Sequence, residues 1–176
     1  MSYLSYTRGF EDNLFMLLLR DHARYMPIVE FFETASRNLW ELSWAEAELI
    51  AAEVSAANNS QFCSGIRRGM IRMLGADPRG TSDPKLAAAV SFVLKLNRST
   101  SPVTRADVDA VLDAGWSEQT VEDIVGLVAI QKLYNVIATG LGFKGLPEEV
   151  FDEIAKGTVG SGGYVASFRS MIGALQ

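Results

Sequence analysis

The sequence predicts an all-α protein with a single domain. Apolar residues recur at spacings of three and four along nearly the whole chain, and no stretch keeps the strict alternation typical of a half-buried strand. Proline, which interrupts helices, accounts for only 5 of the 176 residues. With 48% apolar and 21% charged residues, the chain has the composition of an ordinary globular domain that buries one core.

The helices of the first half are separated by residues that favour turns. Proline lacks the N–H group that a continuing helix requires, so the chain is predicted to break near Pro27. The dipeptide Asn58-Asn59 favours a turn and ends a later helix. The helices predicted in this half cover residues 13–23, 28–37, 44–57 and 61–74.

Capping residues mark where most helices begin. Ser43 and Glu46 have the spacing of a capping box, in which each side chain accepts a hydrogen bond from the other residue's backbone N–H group. Such side chains satisfy N–H groups that have no partner inside the first turn. The other predicted N-caps are Ser60, Asp83, Thr104 and Ser117, which start helices over residues 61–74, 84–97, 105–114 and 118–139.

The helix over residues 118–139 is the most apolar of the chain. Its apolar side chains cover most of its circumference, so it has to be buried either in the core or between subunits. The sequence therefore favours a homo-oligomer, for which a dimer is the simplest symmetric arrangement.

The C-terminal part is predicted to be an arm. A short helix opens at Pro147, and the glycine-rich residues 157–163 are expected to form a flexible hinge. Residues 164–175 form a short amphipathic helix that is marginal alone and must dock on another surface, for which a neighbouring subunit is one candidate. We therefore divide the chain into a helical domain over 1–156 and an arm over 157–176.

Charge and cysteine content exclude several functions. The net charge of −5 argues against binding to nucleic acid or to anionic lipid. One cysteine and one histidine cannot build the usual zinc site, and no cofactor is indicated. No apolar stretch approaches the roughly 20 residues that span a bilayer, and no secretory signal is recognisable, so a cytoplasmic location is predicted, which also suits a free thiol.

Cys63 lies where a helix favours an anion. With Ser60 as N-cap, Cys63 is the third residue of the helix, and Arg67 follows one turn later on the same face. Both features should lower the pKa of the thiol below its usual value of roughly 8.5 and so activate the sulfur as a nucleophile. The alternative is that Cys63 is simply a small buried apolar residue.

Two segments around Cys63 carry a more specific pattern. They are Leu-Ser-Trp-Ala-Glu-Ala-Glu at 42–48 and Ala-Ala-Asn-Asn-Ser-Gln-Phe-Cys at 56–63, and together they give Glu48, eleven residues, Ser60-x-x-Cys63, three residues and Arg67. This resembles the core of the AhpD-like alkylhydroperoxidase and carboxymuconolactone decarboxylase family, whose redox members have Glu, eleven residues, Cys-x-x-Cys, three residues and His. The resemblance extends in helix order over about residues 14–142 and implies an AhpD-like helical bundle.

The resemblance also implies roles for these residues. Cys63 corresponds to the thiolate that attacks the peroxide, and Glu48 to a residue that transfers protons. Ser60 replaces the cysteine that would form a disulfide with Cys63, and Arg67 replaces the histidine; an arginine can hold an anion but does not release its proton. The function implied is a weak, single-cysteine thiol peroxidase that reduces a small-molecule peroxide and depends on an external thiol reductant.

Other interpretations of the same residues remain open. A non-redox lyase of the decarboxylase type could bind a carboxylate substrate through Arg67, Arg68 or Arg72 and use Glu48 as its acid or base. The fold could also be a decayed scaffold that serves assembly or small-molecule binding. Glu48 could be a solvated residue and Ser60 a simple N-cap. Trp44 and Phe62 are candidates for the wall of a pocket, although aromatic residues at this spacing are often part of the core.

Overall fold

The computed structural model of the protein describes residues 2–4, 13–98 and 102–175. Over these ranges the chain is helical and contains no strand, so the all-α prediction is confirmed. The helices are α1 (Leu14–Arg20), α2 (His22–Arg37), α3 (Trp44–Ala57), α4 (Gln61–Met73), α5 (Pro84–Asn97), α6 (Arg105–Asp113), α7 (Glu118–Gly140), α8 (Glu148–Gly160) and α9 (Tyr164–Leu175).

The helix starts predicted from capping residues agree with the structure. At the start of α3, Ser43 N donates to Glu46 Oε2 over 2.7 Å and Glu46 N donates to Ser43 Oγ over 3.3 Å, which completes the capping box. Asp83 and Ser117 cap α5 and α7 in the same local way. These contacts involve neighbours in sequence, which is why the sequence alone locates them.

The break predicted at Pro27 is wrong. Helix α2 runs through Pro27, and the interruption falls earlier, at Asp21, whose φ of −117° and ψ of 52° leave the helical region. Pro27 removes one backbone donor, but α2 packs along α7 and buries Val29 and Phe32. This burial outweighs a single missing hydrogen bond.

The C-terminal segment differs from the predicted hinged arm. Residues 157–160 are the last turn of α8, and only residues 161–163 form a turn, where Gly162 and Gly163 have φ values of 86° and 146°. Such positive φ values favour glycine, so the glycines at 162 and 163 make a tight corner. The glycine-rich pattern indicated flexibility because it does not show which glycines continue a helix.

Helix α9 docks on its own chain. The Phe168 ring packs on Phe15 of α1 with centroids 4.7 Å apart. Glu33 of α2 accepts a hydrogen bond of 2.6 Å from Val165 N, in the first turn of α9, and Arg37 donates to the Gly162 carbonyl. Glu33 thus takes the part of a capping residue for α9.

Helix α7 lies at the centre of the bundle, against α2, α3, α4, α5 and α6. Its buried face includes Ile124, Leu127 and Tyr134. Its opposite side leaves three large hydrophobic residues exposed, namely Val125, Leu133 and Val136. Among the helices that the structure describes, none combines the length and the hydrophobicity needed to cross a lipid bilayer.

Candidate active site

Cys63 lies in the first turn of α4, and Ser60 is the residue immediately before this helix. Its side chain is almost completely buried, with 1% of its surface exposed. Ser60 is also buried, but its hydroxyl does not cap the helix and makes no hydrogen bond of good geometry within the described residues. The hydroxyl lies beside the thiol instead and favours its thiolate form.

The prediction that Cys63 has a lowered pKa is wrong. Burial raises the pKa of the thiol, and the nearby Ser60, Arg67 and Asn135 side chains offset this only in part. Position in the first turn favours a thiolate, but removal from water opposes any charge. The sequence shows the first of these effects and not the second.

Arg67 is buried and held by three partners. Its Nε donates to Gln131 Oε1 over 3.2 Å, and its Nη1 donates to Tyr164 Oη over 2.6 Å and to Glu48 Oε2 over 3.3 Å. The guanidinium lies 3.8 Å from the centroid of the Phe32 ring. Burial lowers the pKa of Arg67, but Tyr164 and Glu48 raise it by more, so the group keeps its charge.

Glu48 is a fully buried carboxylate, with 0% of the residue exposed, so the alternative of a solvated glutamate is wrong. Besides Arg67, it accepts a hydrogen bond of 3.0 Å from Trp44 Nε1 and one of 2.6 Å from Tyr164 Oη. These donors meet the need that a buried charge has for partners. Its hydrogen bonds with Arg67 and Tyr164 connect Glu48 to the surroundings of Cys63.

A small cavity of about 40 Å³ lies next to Cys63. Helices α1, α2, α4, α7, α8 and α9 line it, mostly with apolar side chains. Of the two predicted pocket aromatics, Phe62 lines the cavity and Trp44 does not; Trp44 stands behind it and binds Glu48. The polar or ionisable side chains of the lining are Cys63, Arg67, Tyr134, Tyr164 and Thr158.

Two tyrosines of this site were not predicted from the sequence. Tyr164 enters from α9, and its ring packs edge-on against Phe32 with centroids 5.1 Å apart. Tyr134 comes from α7, and its ring also meets Phe32 edge-on, at 5.6 Å. The sequence did contain a signal for Tyr134. The apolar pattern of α7 assigns one face of this helix to the core, and that face carries the polar side chains of Gln131, Tyr134 and Asn135, which need partners there.

A chain of hydrogen bonds between α7 and α3 connects Arg67 with Asn58, the residue at the end of α3. Gln131, which accepts from Arg67, donates to Ser55 Oγ over 2.8 Å, and Asn135 donates to the same oxygen over 3.1 Å. Asn58 then donates to Asn135 Oδ1 over 2.9 Å. This network satisfies the buried amides and fixes the orientation of Arg67.

The remaining arginines do not face the cavity. Arg72 is paired with Asp152, with 2.9 Å between Nε and Oδ1. Arg68 has a buried Nε without a hydrogen bond among the described residues, and it does not line the cavity. Within the ranges described, no group of three His, Cys, Asp or Glu side chains is arranged to hold a metal ion.

Two solved structures have a similar fold. An uncharacterised peroxidase-related protein from Silicibacter sp. TM1040 superposes with a TM-score of 0.69 at 18% identity, over 77% of this chain and 76% of the other. An alkylhydroperoxidase AhpD core, an uncharacterised peroxidase-related protein from Ralstonia eutropha JMP134, gives 0.71 at 21% identity, over 82% and 80%. The sequence itself matches no protein-family model and no curated protein.

These likenesses establish the fold, and the AhpD-like all-helical architecture expected from the sequence is confirmed. Because the identities are low, they do not establish an activity.

Proposed function

We propose that the protein is a weak thiol peroxidase in which Cys63 attacks the peroxide and an external thiol completes the cycle. The observation that carries the proposal is the placement of the thiol in a small cavity beside a buried, permanently charged guanidinium. Arg67 favours the thiolate, which is the nucleophilic form of cysteine. The peroxidase-related names of two proteins with this fold point the same way.

The reaction is a two-electron transfer from sulfur to the peroxide bond. The Cys63 thiolate attacks one oxygen of the peroxide ROOH, the O–O bond breaks, and the products are a cysteine sulfenic acid and, after protonation, the alcohol ROH. Since burial raises the pKa of Cys63, only a small fraction of the protein holds the thiolate at neutral pH. This is why we expect a slow peroxidase.

Reduction has to come from outside the chain. Cys63 is the sole cysteine, and the buried Ser60 beside it cannot form a disulfide. A first external thiol converts the sulfenic acid into a mixed disulfide and water, and a second releases the Cys63 thiol and an external disulfide. A free thiol as reactive group suits a reducing compartment such as the cytoplasm.

The test is oxidation of the intact protein. Near-stoichiometric hydrogen peroxide should add one oxygen to the wild type, and dimedone should trap that oxygen as a sulfenic acid on Cys63. The control is Cys63→Ser, which should gain no adduct under the same conditions. A wild type that gains no oxygen on Cys63 would contradict the proposal.

The lyase alternative gains less support from the site. It needs a free cation at the cavity for a carboxylate substrate, but Arg67 and Glu48 neutralise each other at 3.3 Å. Arg72 is paired with Asp152, and Arg68, whose Nε has no partner among the described residues, does not line the cavity. If Cys63→Ser kept full turnover of a carboxylated lactone, the lyase would replace the peroxidase. A chain without either activity would be the decayed scaffold.

We also propose that the protein forms a homo-oligomer, in which the copies contact one another through α7. Val125, Leu133 and Val136 are exposed on one side of this helix, and Val136 has 67% of its surface in solvent. Val136→Asp should lower the molar mass in sedimentation velocity. Val150→Asp, a change at an exposed valine on α8, is the matched control and should leave the mass unchanged.

A further inference from the structure

The side chain of Tyr134 is buried, and its hydroxyl has no hydrogen-bond partner in the part of the chain that the structure describes. Only 4% of the residue is exposed, and its hydroxyl, unlike Ser60 Oγ and Arg68 Nε, is not completely enclosed. Polar groups of side chains this deeply buried are usually paired, so an unpaired hydroxyl on a residue that lines a cavity points to a ligand. Tyr134 lines the same small cavity as Cys63, and its ring is held edge-on against Phe32.

Arg67, another residue of the lining, also has an unused donor. Arg67 uses Nε and Nη1 for Gln131, Tyr164 and Glu48, whereas its Nη2 has no acceptor among the residues that the structure describes. The hydroxyls of the two tyrosines therefore differ in their hydrogen bonding. Tyr164 both donates to Glu48 and accepts from Arg67, while Tyr134 keeps its proton free for a molecule in the cavity.

The size and polarity of the cavity limit what this molecule can be. A volume of about 40 Å³ exceeds the roughly 10–15 Å³ that one water needs and accommodates a molecule of two oxygen atoms. The charge of Arg67 is already balanced by Glu48, and most of the lining is apolar. These features favour a small, neutral acceptor of hydrogen bonds, such as hydrogen peroxide.

On the basis of the proposed peroxidase function, we propose that Tyr134 donates a hydrogen bond and then a proton to the oxygen that leaves when Cys63 attacks hydrogen peroxide. The thiolate bonds to one oxygen, the O–O bond breaks, sulfur is oxidised by two electrons and the peroxide is reduced. The departing hydroxide takes the Tyr134 proton and becomes water. The phenolate formed regains a proton from solvent, which replaces the proton that Cys63 released on ionisation.

Tyr134 is better suited to this step than its neighbours. Arg67 does not release a proton at physiological pH. Glu48 does not line the cavity, and both of its oxygens accept hydrogen bonds from other side chains. Tyr134 holds its proton at neutral pH. Burial raises its pKa and so opposes the phenolate, and the nearby Arg67 charge offsets part of this cost during the reaction.

The test compares two reagents on one thiol. Hydrogen peroxide loses an oxygen that needs a proton, whereas methyl methanethiosulfonate loses a sulfinate that does not. Tyr134→Phe keeps the ring and removes the hydroxyl. We expect the ratio of the peroxide rate to the thiosulfonate rate to fall at least about tenfold in this variant, which is a modest value for lost general acid catalysis. Tyr25→Phe, a change outside the cavity, should leave the ratio unchanged.

The outcomes separate the two proposals. An equal ratio in Tyr134→Phe and wild type overturns the role of Tyr134 alone. A wild type that reacts with the thiosulfonate and not with hydrogen peroxide overturns the proposed function and this inference with it. If Tyr134→Phe does not fold, the wild type still decides, since a rate of attack on hydrogen peroxide without a solvent deuterium isotope effect contradicts proton donation by Tyr134 during the attack.

Discussion

The guanidinium of Arg67 and the carboxylate of Glu48 form an ion pair that is almost wholly removed from water, with 6% and 0% of their side chains exposed. Taking two charges out of water is costly, and the pair persists because Tyr164, Trp44 and Gln131 supply further hydrogen bonds. The pair joins α3 and α4 and fixes the cation beside Cys63.

Breaking this pair should destabilise the fold. Arg67→Gln leaves Glu48 buried without its counterion, and we expect the free energy of unfolding to fall by about 3–5 kcal/mol in urea titrations. Arg79→Gln removes the cation from the exposed pair with Asp77 and should cost less than about 1 kcal/mol. Similar losses in the two variants would contradict the importance of the buried pair.

The alkylation rate of Cys63 should reach half of its maximum at a high pH. Burial raises the thiol pKa, so the alkylation rate should continue to rise at pH values where an ordinary thiol is already ionised. Ser60→Ala removes a group that favours the thiolate and should move the midpoint further upward. Ser64→Ala, one residue beyond Cys63 on α4, is the control. A midpoint below that of the urea-unfolded chain would disprove this account.

Phe168 should limit the size of the peroxide. Its ring packs on Phe15 at the wall of the cavity, so Phe168→Ala should enlarge the space next to Cys63. We expect the rate with cumene hydroperoxide to increase relative to that with hydrogen peroxide. Phe143→Ala deletes an equally buried ring away from this cavity, with a similar stability cost of about 3–5 kcal/mol. A shift in the rate ratio in both variants would indicate general loosening.

Restoring a second thiol should change the product of oxidation. The resemblance of residues 60–63 to a Cys-x-x-Cys motif predicts that Ser60→Cys forms a disulfide with Cys63, because the Ser60 hydroxyl already lies beside that thiol. Peroxide should then remove two hydrogen atoms from the intact mass instead of adding oxygen, and dithiothreitol should reverse the change. Formation of a stable oxygen adduct in Ser60→Cys would show that the two side chains do not meet.

Local features of the fold could be predicted from the sequence. The capping box of Ser43 and Glu46 and the cap at Ser117 depend on residues three positions apart, so their chemistry is visible in the sequence. The break at Pro27 was wrong because packing of α2 on α7 outweighs the preference of one residue. Gly157 likewise continues α8, although glycine disfavours helices.

The candidate site could be predicted only in part. Cys63 and Arg67 were identified from their places in the first turns of α4 and Glu48 through the family resemblance, and the structure brings Arg67 into contact with Glu48 and next to Cys63. The burial of Cys63 and the arrival of Tyr164 from α9 depend on how distant helices pack. No local pattern around residue 63 contains that information, so the direction of the thiol pKa shift was missed.

The near-complete enclosure of Cys63 has a consequence for the durability of the molecule. A sulfur with 1% of its residue surface in contact with solvent is out of reach of the equally buried thiol of another copy, although small reagents can enter the cavity beside it. The folded chain should therefore survive storage without forming cross-linked species, and damage should begin in molecules that have transiently unfolded. The burial that slows the reaction of Cys63 with peroxide also keeps its sulfur in the reduced form while no peroxide is present.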